Sequence, residues 1–132
     1  MAKYVYPAVF VEEENGVYQV DFPDIKNCFT QGEDLADAVE SARDVLCLML
    51  CELEDRQAPI PHASHLKDIK AGEQDIVSLI DCDTLAYRKK YNSTAVKKTL
   101  SIPMWLNTLA EEKGVNFSQI LQDALKSQLH VG

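Results

Sequence analysis

No stretch of this sequence approaches the ~20 consecutive apolar residues that a membrane-spanning helix requires. The most apolar run, Val45 to Leu53, is far too short. Met1-Ala2-Lys3-Tyr4 at the N-terminus has no apolar signal core, so a cytoplasmic location with no membrane contact is expected. There is no glycine-rich phosphate loop, no nucleophile elbow and no other catalytic motif, which leaves no candidate catalytic residue. Cysteine is limited to four residues, Cys28, Cys47, Cys51 and Cys82. Without an export signal, reduced and packed thiols are favoured over a pair of disulfides.

Basic residues are scarce over the first two thirds of the chain. Residues 1–86 hold six Lys/Arg against eighteen Asp/Glu, a net −12, whereas residues 87–132 hold seven against three, a net +4, which together give the −8 of the whole chain. An acidic segment repels nucleic acid and attracts basic proteins, and a basic tail does the reverse. The remaining composition is that of a folded protein: 132 residues, 46% hydrophobic and 26% charged. This length suits one domain or two very small ones. Domains well under about 100 residues are marginal alone, so each piece of a divided chain is expected to lean on a partner.

Tyr4 to Val11 is rich in β-branched and aromatic residues and reads as a strand. Asn15-Gly16 is a hairpin signal of the type I′ kind, which needs positive φ at both central residues. Val17 to Phe22 alternates apolar and polar residues as the return strand, and Pro23 and Asp24 end it. A shorter third strand is expected at 28–31, closed by Gly32. Asp34 is placed to cap a long helix. That helix carries apolar residues at Leu35, Ala38, Val39, Ala42, Val45, Leu46, Met49, Leu50 and Leu53 and stops before Pro59. Its second half is apolar nearly all round, which implies burial on more than one side. A sheet on one flank and a second copy of the chain on the other would satisfy it. Residues 57–75 read as loop and Ile76 to Ile80 as a fourth strand. Asp83 to Tyr91 reads as a short helix or a linker. The expected architecture is α+β: a βββαβ module over 1–82, a linker over 83–94 and a second module over 95–132.

In that second module, residues 96–102 read as a short strand. Pro103 suits a first helical position. Met104, Trp105, Leu106, Leu109 and Ala110 form an apolar stripe that Gly114 terminates. Asn116 is an N-cap, with Gln119 at capping-box spacing, and Phe117, Ile120, Leu121, Ala124, Leu125 and Leu129 recur at helical spacing. A lone strand leaves its backbone groups unpaired. Two copies zipped into an antiparallel ribbon over a shared four-helix core would pair them. Leu100 and Ile102 would then face the helices, and Lys97, Thr99 and Ser101 would face outward. A two-stranded ribbon fits the major groove, where these three side chains are candidates for contacting base edges. The amides at Asn116, Phe117 and Ser118 are candidates for clamping a phosphate. The blander reading is a helical hairpin whose edge strand only dimerises.

Other constellations weigh less. Asp21 and Glu40 are two carboxylates of the kind a metal-dependent nuclease needs, but no third and fourth partner is placed beside them. His62 and His65 lie in a Pro-rich loop. Cys47 and Cys51 sit within an apolar band, where free Cys behaves as a small hydrophobe rather than a zinc ligand. Trp105 within a helical stripe is core or interface before it is a base-stacking platform. No metal and no cofactor is expected.

With both modules in view, the chain resembles the HicB family of antitoxins. The resemblance lies in Val17 to Gly32, in Glu33 to Ala42 and in the tail from Leu100 to Gln119. It implies a degenerate ribonuclease-H-like fold without nuclease activity for the N-terminal module and a ribbon-helix-helix for the C-terminal one. It further implies a small basic HicA-type toxin, an mRNA-cleaving ribonuclease whose active site the antitoxin occludes, and operator DNA bound by the tail. The Phe22-Pro23-Asp24 turn is the candidate toxin contact. A homodimer through 96–102 and the C-terminal helices follows, and the apolar flank of the long helix adds a second contact that would give a tetramer. The alternative is a stand-alone ribbon-helix-helix regulator whose acidic module senses a ligand.

Overall fold

The computed structural model describes residues 2–132. The chain divides into two compact units, Met1–Thr94 and Ala95–Gly132. In the first, strands β1 (Lys3–Glu12), β2 (Tyr18–Asp21), β3 (Phe29–Gly32) and β4 (Ile76–Asp83) form an antiparallel sheet in the order β3-β2-β1-β4. Helix α1 (Leu35–Asp55) lies against one face of it. Alternation in the strands sends Tyr6, Ala8 and Phe10 of β1, Val20 of β2, and Ile80 and Cys82 of β4 into the core. From α1 they meet Ala38, Ala42, Leu46 and Leu50, each 0% exposed and at the three- and four-residue spacing of one helix face.

The hairpin forms where Asn15-Gly16 placed it, with a different turn. Gly16 alone has positive φ (+85°), its amide donates to the Glu13 carbonyl at 3.0 Å, and the Asn15 side chain accepts from the Val17 amide at 3.1 Å. This is the pattern of a type I turn closed by a left-handed glycine, not a type I′ turn. Asp34 caps α1 as expected: its carboxylate accepts from the Asp37 amide at 2.8 Å, and Asp37 returns the favour to the Glu33 amide at 2.9 Å.

The all-round apolar half of α1 is buried on more than one side, but its second cover is supplied in cis. Residues 84–91, within a segment read as a short helix or a linker, form helix α2 (Thr84–Tyr91), which packs on α1. Thr84 is 0% exposed. Its hydroxyl accepts from the Ala2 amide at 2.8 Å and donates to Glu54 Oε2 at 3.0 Å. Ile60 and Tyr87, like Val45, Met49 and Leu53, are partly buried and pack against the core. Leu48, 54% exposed, is what remains uncovered of this band, so the helix gives no independent support for a tetramer.

This boundary also moves charge. Arg88, Lys89 and Lys90 belong to the first unit, so residues 1–94 hold nine Lys/Arg against eighteen Asp/Glu, a net −9. Residues 95–132 hold four against three, a net +1. The second unit is close to neutral rather than basic, and half of its cations are the adjacent Lys97 and Lys98.

The second unit consists of α3 (Met104–Glu112) and α4 (Phe117–Leu129). Gly114 (φ +64°) reverses the chain between them, with its own amide on the Glu111 carbonyl and the Val115 amide on the Ala110 carbonyl, the paired bonds of a Schellman stop. Residues 92–103 carry no regular secondary structure. The strand expected at 96–102 thus makes no ladder within its own chain.

Candidate functional site

None of the residues 95–132 is buried. Met104 (84% exposed), Trp105 (66%), Leu100 (64%) and Ile120 (54%) lie open, and neither α3 nor α4 has a buried residue. Within this unit Lys98, Leu100 and Ile102 line one groove together with Phe117, Ile120, Leu121 and Ala124 of α4. These three are alternate residues, the two-residue period of an extended chain. Lys97, Thr99 and Ser101 fall on the other phase and are exposed. The segment therefore has one face towards α4, apolar but for Lys98, and one polar phase of Lys97, Thr99 and Ser101, although it has no strand partner within the chain.

Asn116 caps α4, its side chain accepting from the Gln119 amide at 3.0 Å. The expected reciprocal half of the capping box does not form, because the Gln119 side chain turns to Asp123 (2.9 Å). The first-turn amides at Phe117 and Ser118 have no carbonyl partner within a helix by its geometry, which leaves them available to an anion.

Of the Phe22-Pro23-Asp24 turn, expected to contact the toxin, only part lies at the surface. Phe22 is 1% exposed and belongs to the core, so it offers a partner no surface. Pro23 is exposed. Asp24 is engaged within the chain: its carboxylate accepts from the Ser64 amide at 2.8 Å and from the Ser64 hydroxyl, fastening the segment after α1. The Tyr6 hydroxyl secures the same segment by donating to the Pro61 carbonyl. Sequence pattern placed the turn correctly but not the direction of Phe22, which begins a turn and yet points inward.

Asp21 and Glu40 do not converge. Asp21 is exposed on the sheet face opposite α1, in register with Val9 and Phe29, whereas Glu40 is exposed on α1 itself. Among the described residues no three His, Cys, Asp or Glu side chains group as a metal site. All four thiols are free and buried. Burial, with a smaller push from Asp21, raises the Cys28 thiol to about 12, and burial also raises Cys47, Cys51 and Cys82. Protonated thiols are poor zinc ligands and poor nucleophiles. Among the described residues no helix is long and apolar enough to cross a membrane.

The class is an α+β one: a small antiparallel sheet backed by a long helix, followed by a helical pair in which no residue is buried. Residues 5–79 match the family described as HicB-like antitoxin of bacterial toxin-antitoxin system, and the chain belongs to that family. A toxin-antitoxin complex from Streptococcus pneumoniae contains a similar chain, 26% identical, with a TM-score of 0.59 over 96% of this chain and 99% of that one. The antitoxin HicB3 is 25% identical with a TM-score of 0.51, over 95% of this chain and 97% of that one. A UPF0150 protein of Synechocystis is 32% identical over 54 residues, 41% of this chain and 78% of that protein. The antiparallel sheet and four helices match the fold of HicB antitoxins.

Proposed function

We propose that this chain neutralises a HicA-type, mRNA-cleaving ribonuclease by occluding its active site with the first unit, and represses its own operon by binding operator DNA with the second. The first unit would be a degenerate ribonuclease-H-like module without catalytic duty. The second would be a ribbon-helix-helix, complete only as a dimer. The reading is supported most by the second unit's lack of any buried residue combined with the two-phase pattern of 97–102. Two copies would pair their 96–102 segments, close the Leu100 and Ile102 grooves over a common core, and present Lys97, Thr99 and Ser101 on one ribbon. Backbone pairing and apolar burial, both unmet in one chain, are met together. Asn116, Phe117 and Ser118 at the start of α4 would hold flanking phosphates. Because the unit carries only +1, its phosphate attraction would come from the local Lys97-Lys98 pair and the helix start, not from bulk charge. The first unit, at −9, is suited to steer a basic ribonuclease.

Expression of the chain from its native operon, followed by mass measurement of the purified assembly, tests this. The expected result is an assembly with an even number of copies, holding a small basic protein whose RNA cleavage is silent until the two are separated. It should retard a fragment from upstream of the operon. Purification of the chain alone from that operon, or a partner that stays fully active in the complex, would overturn the neutralisation reading.

A further inference from the structure

The sheet of the first unit has α1 on one face only. On the opposite face the pleat places Val5, Pro7, Val9 and Val11 of β1, of which Pro7 is buried and Val9 half-buried, and the register sets Leu79 beside Pro7, Asp21 beside Val9 and Phe29 beside Asp21. Phe29 is 65% exposed, Leu79 54%, Val5 49% and Val11 37%. An antiparallel sheet facing water normally shows polar side chains there. Scattered exposed apolar residues need no explanation, but a set gathered on one sheet face marks an interaction surface. Val9, Val11, Pro23 and Phe29 line one depression with Asp21 and Lys70. Along the same face, Gln19 and Gln31 line a second depression with Glu13 and Glu14 at the hairpin tip.

From this we infer that the β1-β2-β3 end of this open sheet face is the docking surface for the toxin, with Phe29 and Val11 as apolar anchors and Asp21, Glu13 and Glu14 as an acidic rim. The inference rests on the toxin-neutralising reading and moves its location from the Phe22-Pro23-Asp24 turn to the sheet face, where only Pro23 of that turn lies. The occupant is a basic protein because the charges select it. Three carboxylates against one ammonium, Lys70, surround the apolar patch, and the unit as a whole carries −9. Nucleic acid is repelled by that field. A second copy of the same face would bring two acidic rims together, and like charges across an interface disfavour the pairing. An aromatic anchor set in a small patch with a charged rim is the arrangement in which few residues carry most of the binding energy.

The test uses the full chain and the HicA-type protein of its own operon, with that protein's catalytic histidine replaced. Phe29→Lys and Val11→Lys are compared with Leu48→Lys, which changes a residue on α1 whose exposure lies between theirs. Phe29→Lys and Val11→Lys should each weaken toxin binding by about 30-fold or more, while Leu48→Lys stays within about 3-fold of the parent. Hydroxyl-radical footprinting of the unsubstituted complex needs no variant and should show Phe29 protected. Loss on Leu48→Lys with Phe29→Lys unaffected, or no protection of Phe29, would overturn the location while leaving neutralisation intact. A Phe29→Lys chain that changes its own oligomeric state but keeps its toxin affinity would overturn it too, by assigning the face to a second copy. No binding by the parent chain would instead sink the neutralisation reading itself.

Discussion

Arg88 on α2 meets Glu54 on α1 at 3.2 Å, with 14% and 10% of the two side chains exposed. The same guanidinium reaches Asp55 at 2.9 Å and the Cys51 carbonyl at 3.1 Å, while Tyr4 and Thr84 donate to Glu54 Oε2 at 2.9 and 3.0 Å. One ion pair thus ties β1, α1 and α2 together where sequence pattern left a choice between helix and linker. Removing one partner strands a charge in a site poor in water, at a cost of about 3–5 kcal/mol. Arg88→Ala should lower the chain's stability to urea by that amount. Lys67→Ala, an exposed change, should stay within about 0.5 kcal/mol. Equal effects would mean that the pair does not hold α2 in place.

The same cluster sets a pH profile. Burial disfavours the Glu54 carboxylate, but the hydrogen bonds it accepts, those from Tyr4, Arg88 and Thr84 among them, outweigh it and hold its pKa below the ordinary 4.5. A group lowered on folding contributes stability above its unfolded value, and that contribution is lost as pH falls through the folded one. Asp81 is lowered as well, by its bond to Arg43, but at 71% exposed it should matter little. Tyr4 runs the other way: burial, then the Glu54 contact, raises it from 10.0 to about 12. The stability it contributes is complete below pH 10.0 and is lost as pH climbs towards 12. The buried thiols, raised from 9.0, start the alkaline decline earlier. Urea midpoints measured under reducing conditions should form a plateau that falls below pH 4.5 and above pH 9.0. Glu54→Gln should flatten the acid limb and Tyr4→Phe should soften the alkaline one. An acid limb unchanged in Glu54→Gln would assign it to other carboxylates.

Gly32 closes β3 where the chain turns into α1. A Cβ built on it would lie 2.2 Å from the Ala38 amide nitrogen and 2.4 Å from its Cα, both backbone atoms of the helix. Neither can yield without moving α1 against the sheet, and overpacking of this kind costs about 1–3 kcal/mol or more. Gly32→Ala should therefore destabilise the chain although it improves intrinsic strand propensity. Gly72→Ala faces only a side-chain oxygen at 3.1 Å and should be tolerated far better. Calorimetric melting of the two variants separates steric from entropic effects, and comparable melting temperatures would refute the steric account.

The strands, the capped helix and the two-helix tail were legible because each rests on local signals: period two in Val17 to Phe22, the Asp34 cap, the Gly114 stop. Three features were not, and each depends on contacts distant in sequence. Burial of Phe22 depends on the core cluster that the strands and α1 build together. The helix at 84–91 is weakly amphipathic, and its place is fixed by Arg88 reaching Glu54, a pairing that spacing does not reveal. The apolar surface at Phe29 and Val11 alternates as a buried strand would, so only sheet topology shows that α1 covers the other face. For the tail, the pattern gave the two phases of 96–102, but pairing with a second chain is not a property that one chain displays.

The division of labour between the two units has a direct test in the tail. The apolar core lies wholly within the first unit, so a chain ending at Thr94 should fold. It should keep toxin affinity within about 3-fold while losing both dimerisation and operator binding, because Lys97, Thr99 and Ser101 are gone. Finer substitutions separate the roles proposed for that ribbon. Lys97→Ala removes a cation expected on phosphate or base, so binding should weaken on every sequence and the salt dependence should lose about one contact. Thr99→Ala should cost about 1–3 kcal/mol on the true operator and little on random DNA if the hydroxyl reads a base edge. Leu100→Lys places a charge in the groove that a second copy would close, and should abolish DNA binding by dissociating the dimer, visible as halved mass in ultracentrifugation. A Leu100→Lys chain that remains dimeric and DNA-bound would show that the 96–102 segments do not zip together.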